Sequence, residues 1–253
     1  MHKEVIAGDK INPQKKEIKF GEVAELREPT MRILDQIHER IENGEYGIII
    51  GDDASGRIPA IIIGGVIREI LRGINGVIPR ITFIPGKLKP FHLELESNLR
   101  DFLDKFDYIS GKRILIVTDT IKSGQSLEAL VKTLERITKS SIDIVTIGLE
   151  RESDLFYKRE RKDNLDGAEI ISGDYSSGLS YFQNTPMIYS AKEMSGVTKD
   201  LSGKPMNSKR IKDDKDPGEA RAHQMIVDDT RGDAKLLTEE LISWYRQKYG
   251  EQK

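Results

Sequence analysis

Five short apolar runs, rich in β-branched residues, alternate along the chain with segments in which apolar residues recur every three or four positions. The runs cover residues 46–50, 81–84, 114–117, 142–149 and 168–172. Short runs bounded by glycine and polar residues are typical of strands buried in a parallel sheet, whereas the longer period is typical of amphipathic helices. The alternation of the two patterns predicts an α/β fold with a doubly wound, mainly parallel sheet.

The C-terminal part of the chain departs from this alternation. Residues 1–198 hold all the predicted strands and are interpreted as the α/β domain. Residues 199–235 mix charged residues with glycine and proline, which predicts a charged linker or a long loop. Residues 236–253 predict a C-terminal helical extension that packs either on its own domain or on a partner subunit. The apolar face of this helix is made by Leu236, Leu237, Leu241, Trp244, Tyr245 and Tyr249.

Composition narrows the class of protein and of partner. The 253-residue chain has a formal net charge of −2, so it offers no global basic field for nucleic acid or an anionic membrane. It contains no cysteine, which excludes a disulfide framework, a thiolate metal site and a cysteine nucleophile. The N-terminus lacks the apolar core of a signal peptide, and the longest apolar run, residues 58–67, is too short to span a bilayer. We therefore expect a cytoplasmic protein that binds neither nucleic acid nor membrane.

A strand, a polar turn and the start of a helix follow one another within residues 112–127, which read KRILIVTDTIKSGQSL. A helix N-terminus favours an anion, and Ser123 and Ser126 add hydroxyl donors there. Gly124 lets the backbone approach a phosphate closely. Asp119 would repel a phosphate and is better suited to accept hydrogen bonds from sugar hydroxyls. These residues predict a ribose 5-phosphate site, and the alternative is an ordinary turn with a serine cap and a solvated aspartate.

A second strand–turn–helix unit contains the turn GDDASGR at residues 51–57. This turn nearly fits the nucleotide-binding pattern G-x-x-x-x-G-K-[ST]. However, Arg57 replaces the lysine, and Ile58 stands where a Mg²⁺-binding hydroxyl is required. A nucleotide-binding loop of that kind is therefore disfavoured. The near match still leaves hydrolysis of a nucleotide or phosphoester as an alternative function.

The run ILIVTDTIKSGQS at residues 114–126 resembles the signature of the type I phosphoribosyltransferases, in which four apolar residues precede two acids and a phosphate-binding loop. Asp119 matches the second acid, and Thr118 stands where the family usually carries the first. The resemblance implies the fold of that family, with a less regular hood for a nucleobase. It also implies that ribose 5-phosphate of phosphoribosyl pyrophosphate (PRPP) is bound by Thr118, Asp119, Thr120, Lys122, Ser123, Gly124, Gln125 and Ser126.

The same resemblance assigns a pyrophosphate site to two other loops. The loop after residues 46–50 would bind pyrophosphate, and its arginine can hold two of the oxygens bidentately. The loop after residues 81–84 would close over PRPP and bring a lysine to the pyrophosphate, the alternative being an ordinary solvated loop. The residues implied are Ala54, Ser55, Gly56, Arg57, Lys87 and Lys89.

Metal and base sites follow from the same interpretation. Asp52 and Asp53 are candidates to hold Mg²⁺ through water, because this cation prefers oxygen ligands. The alternative is that these carboxylates cap a helix. In the hood, Tyr175, Tyr181 and Phe182 are candidates to stack on a base, the alternative being aromatic residues at the edge of the core.

Together these features favour a Mg²⁺-dependent phosphoribosyltransferase that moves ribose 5-phosphate from PRPP to a nucleobase or related acceptor and releases pyrophosphate. Asp119, Arg57 and Lys87 would act mainly by positioning and electrostatics. The resemblance also implies a homodimer. Thr118 motivates the alternative of a non-catalytic protein of the same fold that binds PRPP or a nucleotide as a sensor or subunit.

Overall fold

A five-stranded parallel sheet forms the centre of the protein. The computed structural model describes residues 17–85, 95–105, 108, 111–150, 163–176, 194–199, 208–210 and 217–250. The sheet has the order β2-β1-β3-β4-β5, and every neighbouring pair of strands is parallel, which confirms the predicted α/β fold. Its strands are β1 (Tyr46–Asp53), β2 (Arg80–Pro85), β3 (Arg113–Ile121), β4 (Ile142–Glu150) and β5 (Ala168–Ser176).

Helices cover both faces of the sheet. Side chains alternate along a strand. Ile49 of β1 therefore packs with the second and third helices, whereas Ile48 and Ile50 pack with the fourth and fifth. The sheet is doubly wound, as the pattern predicted, because its central strands are buried on both faces. The helices are α1 (Gly21–Ala24), α2 (Arg27–Glu42), α3 (Arg57–Gly73), α4 (Leu95–Lys105) and α5 (Gln125–Thr138).

The C-terminal helix is longer than the sequence predicted. Helix α6 runs over Pro217–Tyr249, so the prediction of a linker or loop over residues 199–235 is wrong from residue 217 onward, and the predicted helix start at 236 is corrected. The first half of α6 buries only a narrow stripe that includes Val227 and Ala234, and its other side is charged. The high content of charged residues in this half of the helix therefore led to the prediction of a linker or loop.

The segment before α6 also contains regular structure. Strands β6 (Val197–Lys199) and β7 (Ser208–Arg210) form an antiparallel pair that is separate from the main sheet. The predicted linker therefore contains β7 and the end of β6 as well as the first half of α6. The division of the chain into domains at residue 198 stays a prediction.

The apolar face of α6 packs on the chain's own domain. Leu237, Leu241 and Tyr245 are buried in the same core as α2 and α3. Gly65 on α3 permits a close approach, because a Cβ at that position would lie 2.9 Å from a side-chain atom of Thr238. Neither α6 nor any other helix in the described ranges combines the length and the apolar composition needed to cross a membrane.

A buried charge network lies at the amino edge of the sheet. The Asp143 carboxylate on β4 is fully buried and accepts two hydrogen bonds from Arg113, at 2.6 and 3.0 Å. Arg40 donates to it at 2.8 Å, and so does the hydroxyl of Tyr46, also at 2.8 Å. Glu169 accepts a further bond from Arg40 at 2.7 Å and is half-exposed. One carboxylate thus joins α2 to the first residues of three strands.

Loss of the Asp143 charge is expected to destabilise the fold strongly. Asp143→Asn leaves two partly buried guanidinium groups without their common anion, and breaking a buried pair from one side costs about 3 kcal/mol or more. Glu169→Gln removes a half-exposed partner and should change stability by less than about 1 kcal/mol. Urea unfolding of both variants measures the difference, and equal effects would contradict the network as described.

The pH dependence of stability should report Tyr46. Burial and the neighbouring Asp143 carboxylate raise the pKa of Tyr46 well above its ordinary value of 10.0. Above pH 10 the unfolded chain therefore releases a proton that the folded chain keeps, so stability falls as pH rises, by up to about 1.4 kcal/mol per pH unit for one group. Tyr46→Phe should be less stable at neutral pH and have a shallower slope above pH 10. An unchanged slope in pH-dependent urea unfolding would refute this.

Candidate functional site

The connections of β1 and β3 create a crevice at the carboxyl edge of the sheet. The chain passes from β1 outward to β2 and then returns to β3 on the other side of β1. Helix α3 after β1 and helix α5 after β3 consequently lie on opposite faces. Open α/β sheets bind ligands where the strand order reverses in this way. The structure therefore brings the two turns that the sequence singled out to the same place.

The two strands also separate at this point. The last residues paired between β1 and β3 are Gly51 and Val117. Strand β3 continues beside β4 as far as the pair Ile121 and Leu149. The next residues of β1, beginning with Asp52, lie beside β3 without a ladder pair to it. Side chains from both faces of the sheet can therefore line this split.

The turn after β1 is packed tightly against β3. Strand β1 extends to Asp53, further than the predicted 46–50, and α3 begins at Arg57. The Gly56 N–H donates to the Asp52 carbonyl at 2.6 Å, and the Asp53–Ala54 peptide bond is cis. A Cβ built on Gly56 would overlap the carbonyl oxygen of Val117. Only glycine fits here, so the turn at residues 54–56 is held directly on the central strand.

Arg57 is fixed by an ion pair and an aromatic ring. Its Nε and Nη2 donate to the two carboxylate oxygens of Asp53 at 2.7 and 2.6 Å. Its guanidinium carbon lies 4.1 Å from the ring centroid of Phe83 on β2. Gly51 leaves room for this ring, because a Cβ there would lie 2.8 Å from it. Within the described ranges, no hydrogen bond involves Nη1 of Arg57, which leaves that nitrogen as the donor for an anion.

The pairing changes the interpretation of the two predicted magnesium residues. Asp53 is 0% exposed and has both oxygens bound to Arg57. Asp52 is 3% exposed and is the one whose carboxylate faces the split beside β3. The described part of the chain contains no group of three His, Cys, Asp or Glu side chains that could hold a metal. Water-mediated Mg²⁺ binding therefore stays a prediction, and it rests on Asp52.

A row of buried polar side chains crosses the sheet at the level of the split. Thr118 pairs in register with Thr146, which pairs with Ser172, and the Thr118 hydroxyl lies 3.4 Å from Oδ2 of Asp52. All four are buried. Two residues earlier, the same positions hold only isoleucine. On β1, β3, β4 and β5 the layer of isoleucines is therefore followed by a polar floor. Sequence reasoning missed Thr146 and Ser172, although each comes two residues after an isoleucine within its predicted strand, as Thr118 does after Ile116.

The turn after β3 is shorter than predicted. Strand β3 continues to Ile121, so Thr118, Asp119 and Thr120 lie on the strand and not in a polar turn. The connection is reduced to residues 122–124 before α5 begins at Gln125. This confirms a helix start close to the predicted Ser126.

The short turn is held from two sides. Gly124 has a positive φ of 76°, which favours glycine, and a Cβ there would lie 2.7 Å from the Leu165 side chain. Asn164 donates to the Ser123 carbonyl at 2.9 Å. The Ser123 hydroxyl accepts from the Gln125 N–H at 3.4 Å. Lys122, Gln125 and Ser126 are exposed around this rigid turn.

Asp119 lies at the open side of β3. It is partly exposed, and one of its carboxylate oxygens accepts from the Thr120 N–H at 2.6 Å. Its backbone carbonyl accepts from the Thr146 hydroxyl at 3.2 Å, which ties the strand to β4 at this level. One oxygen of the carboxylate is thus oriented by the following backbone N–H, and the residue is partly exposed at the level where β1 no longer pairs with β3.

For the remaining predicted site residues, the structure gives no side-chain contacts. Lys87, Lys89, Tyr181 and Phe182 lie outside the described residues. Tyr175 lies on β5, in register with Leu149 of β4. Their roles in pyrophosphate binding and base stacking stay predictions.

Comparisons with known proteins give a distant likeness in fold. No protein-family model matches this sequence, and no curated protein matches it. A hypothetical protein from Neisseria gonorrhoeae with bound ppGpp has a TM-score of 0.35 and 15% identity, over 59% of this chain and 80% of that one. A purine phosphoribosyltransferase from Pyrococcus horikoshii has a TM-score of 0.32 and 15% identity, over 58% and 81%. Similarity at this level says nothing about the ligand, so any function has to rest on the chain's own residues.

The Asp53–Arg57 pair should show strong energetic coupling. Asp53→Asn or Arg57→Gln alone breaks the bidentate pair between a buried carboxylate and a mostly buried guanidinium, and each should destabilise the fold by about 3 kcal/mol or more. The double variant removes both charges, so its loss should be clearly smaller than the sum. Urea unfolding of the four proteins gives the coupling.

An exposed helical pair provides the control for this cycle. Lys132 and Glu128 are bonded at 2.8 Å on α5, with the lysine side chain half-exposed. Glu128→Gln should change stability by about 0.5 kcal/mol or less. Additive effects at Asp53 and Arg57 would show that the pair does not fix the turn.

Proposed function

We propose that this protein binds PRPP in the crevice between β1 and β3 and transfers its ribose 5-phosphate to a nucleobase or related acceptor, with release of pyrophosphate. One observation supports this above all others. Two strand–turn–helix units with complementary chemistry meet at the carboxyl ends of adjacent strands, one carrying Arg57 and the other the turn 122–124 with Asp119. A ligand with anionic groups at both ends and hydroxyls between them matches that arrangement.

Each part of the crevice would then have one task. The exposed turn at the start of α5 holds the 5-phosphate through backbone N–H groups and the hydroxyls of Ser123 and Ser126. Asp119 accepts hydrogen bonds from the ribose hydroxyls. Arg57, held by Asp53, donates Nη1 to the pyrophosphate, and Lys87 approaches from the loop after β2. Catalysis comes mainly from holding C1 between the leaving group and the acceptor.

Mg²⁺ would supply charge neutralisation of the pyrophosphate. The Asp52 carboxylate is one oxygen ligand of the kind that this cation prefers, directly or through water, and a metal role for Asp52 is the alternative to the sugar role argued in the next subsection. Asp53 is engaged by Arg57 and contributes by holding that arginine. The bond from C1 to the pyrophosphate oxygen breaks, a bond from C1 to the acceptor forms, and the acceptor loses a proton.

A non-catalytic binder is the second candidate, and one observation favours it. The charge of Arg57 is already matched by the Asp53 carboxylate, which weakens its pull on a departing pyrophosphate. Such a protein would bind PRPP or a nucleotide without turning it over. Nucleotide hydrolysis has the least support, because Ile58, where the hydrolase pattern needs a hydroxyl, lies in the first turn of α3 with its side chain buried in the core.

Ligand-dependent melting tests this proposal. With Mg²⁺ present, PRPP should raise the melting temperature of the wild type, since a ligand at a hundredfold excess over its dissociation constant adds about 2.7 kcal/mol. Asp119→Asn keeps the acceptor for the Thr120 N–H but loses the charge, so the PRPP shift should largely disappear. The control Asp101→Asn, on the exposed side of α4, should keep the full shift.

The outcomes separate the candidates. Pyrophosphate release with one of a panel of purines, pyrimidines or orotate-like acceptors would identify an enzyme, whereas binding without release would identify a sensor or subunit. If millimolar PRPP gives no shift while ATP does, the phosphoribosyl proposal fails and the turn at residues 51–57 becomes the nucleotide site.

A further inference from the structure

Asp52 and Thr118 are the first residues of β1 and β3 in the split, where the two strands are no longer paired. They follow directly after the last ladder pair of the two strands, and the Thr118 hydroxyl is 3.4 Å from Oδ2 of Asp52. We propose that Asp52 binds a ribose hydroxyl together with Asp119, so that the two vicinal hydroxyls of the sugar meet carboxylates from two different strands. This inference rests on the proposed function, because it specifies how the same crevice holds the sugar.

The chemistry of the floor favours a hydroxyl at this position. An ionised carboxylate only accepts hydrogen bonds, so it suits a donor and repels a phosphate. The isoleucines below the row exclude water from that side, and a hydrogen bond to a charged group is stronger in such surroundings. Thr118 supplies a hydroxyl that fixes one oxygen of Asp52 in place.

The distance of 3.4 Å between the Thr118 hydroxyl and Oδ2 of Asp52 explains why position 118 carries no charge. Asp52 and Thr118 are 3% and 2% exposed, and their side chains are in contact. A carboxylate at position 118 would face Asp52 at a similar distance, and two buried carboxylates that close cannot both ionise. One acid is tolerated at this level of the split, and β1 provides it. It follows that the acid can be moved from β1 to β3.

Exchange of the two residues is the decisive variant. Asp52→Asn should weaken ribose 5-phosphate binding by about tenfold or more, through loss of a charged hydrogen bond. The exchanged protein, Asp52→Thr with Thr118→Asp, should recover affinity to within about threefold of the wild type. Thr118→Asp alone should bind weakly, and Thr118→Val, which removes only the hydroxyl, should lose less than Asp52→Asn.

Calorimetric titration with ribose 5-phosphate and with inorganic phosphate separates binding of the sugar from a general effect of charge, and each titration is made in EDTA and again with Mg²⁺. Loss of a carboxylate near an anion should leave inorganic phosphate binding unchanged or tighter. A hydroxyl-binding role predicts the opposite sign for ribose 5-phosphate. Melting curves without ligand identify variants that remain folded, and if Asp52→Asn does not fold, the exchanged protein carries the test.

The results distinguish this inference from the proposed function. If wild type binds ribose 5-phosphate and Asp52→Asn binds it equally well, the role of Asp52 is refuted while the ribose-phosphate site stands. If Asp52→Asn loses affinity only when Mg²⁺ is present, Asp52 is a metal ligand and the inference is wrong. A folded exchanged protein that does not recover binding also overturns it. If wild type binds neither ribose 5-phosphate nor PRPP, the proposed function itself fails.

Discussion

The crevice depends on the contact between Gly56 and the end of β3. The absence of a side chain lets this glycine lie against the Val117 carbonyl, where any Cβ would overlap it. The ladder between β1 and β3 ends at Gly51 and Val117, while β1 continues beside β2 and β3 continues beside β4. Since α3 begins immediately after Gly56, the same contact sets the position of Arg57. The packing of Gly56 thus determines how the Arg57 guanidinium and the carboxylates of the site lie relative to each other.

Buried carboxylates do different work at the two edges of the sheet. At the amino edge, Asp143 is enclosed by two arginines and a tyrosine, and its bonds tie a helix to three strands. At the carboxyl edge, both oxygens of Asp53 accept hydrogen bonds from Nε and Nη2 of Arg57, and Nη1 of the arginine takes no part in this pair. Buried ion pairs add little net stability but strongly penalise the loss of one member. What they supply is a fixed arrangement of side chains. At Asp143 this arrangement joins secondary-structure elements, and at Asp53 it holds the Arg57 guanidinium in one orientation.

The sequence predicted the repeating elements better than the relations between them. The β-branched runs and glycine-bearing turns were sufficient to predict the strands and both turns, because those signals are local. The contact of Asp52 with Thr118 depends on strand order and register, which no local pattern contains. The Asp53–Arg57 pair was missed because the two residues belong to different elements. The first half of α6 was missed because its buried stripe is narrow and its other side is charged.

The charges around the split also restrict how a ligand can lie in it. Besides the pair of Asp53 with Arg57, Asp52 and Asp119 bring two further carboxylates to the described part of the split. A phosphate placed there would be repelled, whereas hydroxyl groups would find acceptors. The exposed Lys122 lies at the turn before α5. In the proposed binding mode this turn takes the phosphate, and the hydroxyls of the sugar lie between the strands. The same binding mode places the second anionic group over Arg57, whose charge already pairs with Asp53, and this is why the proposal assigns a divalent cation and a lysine to that end of the ligand.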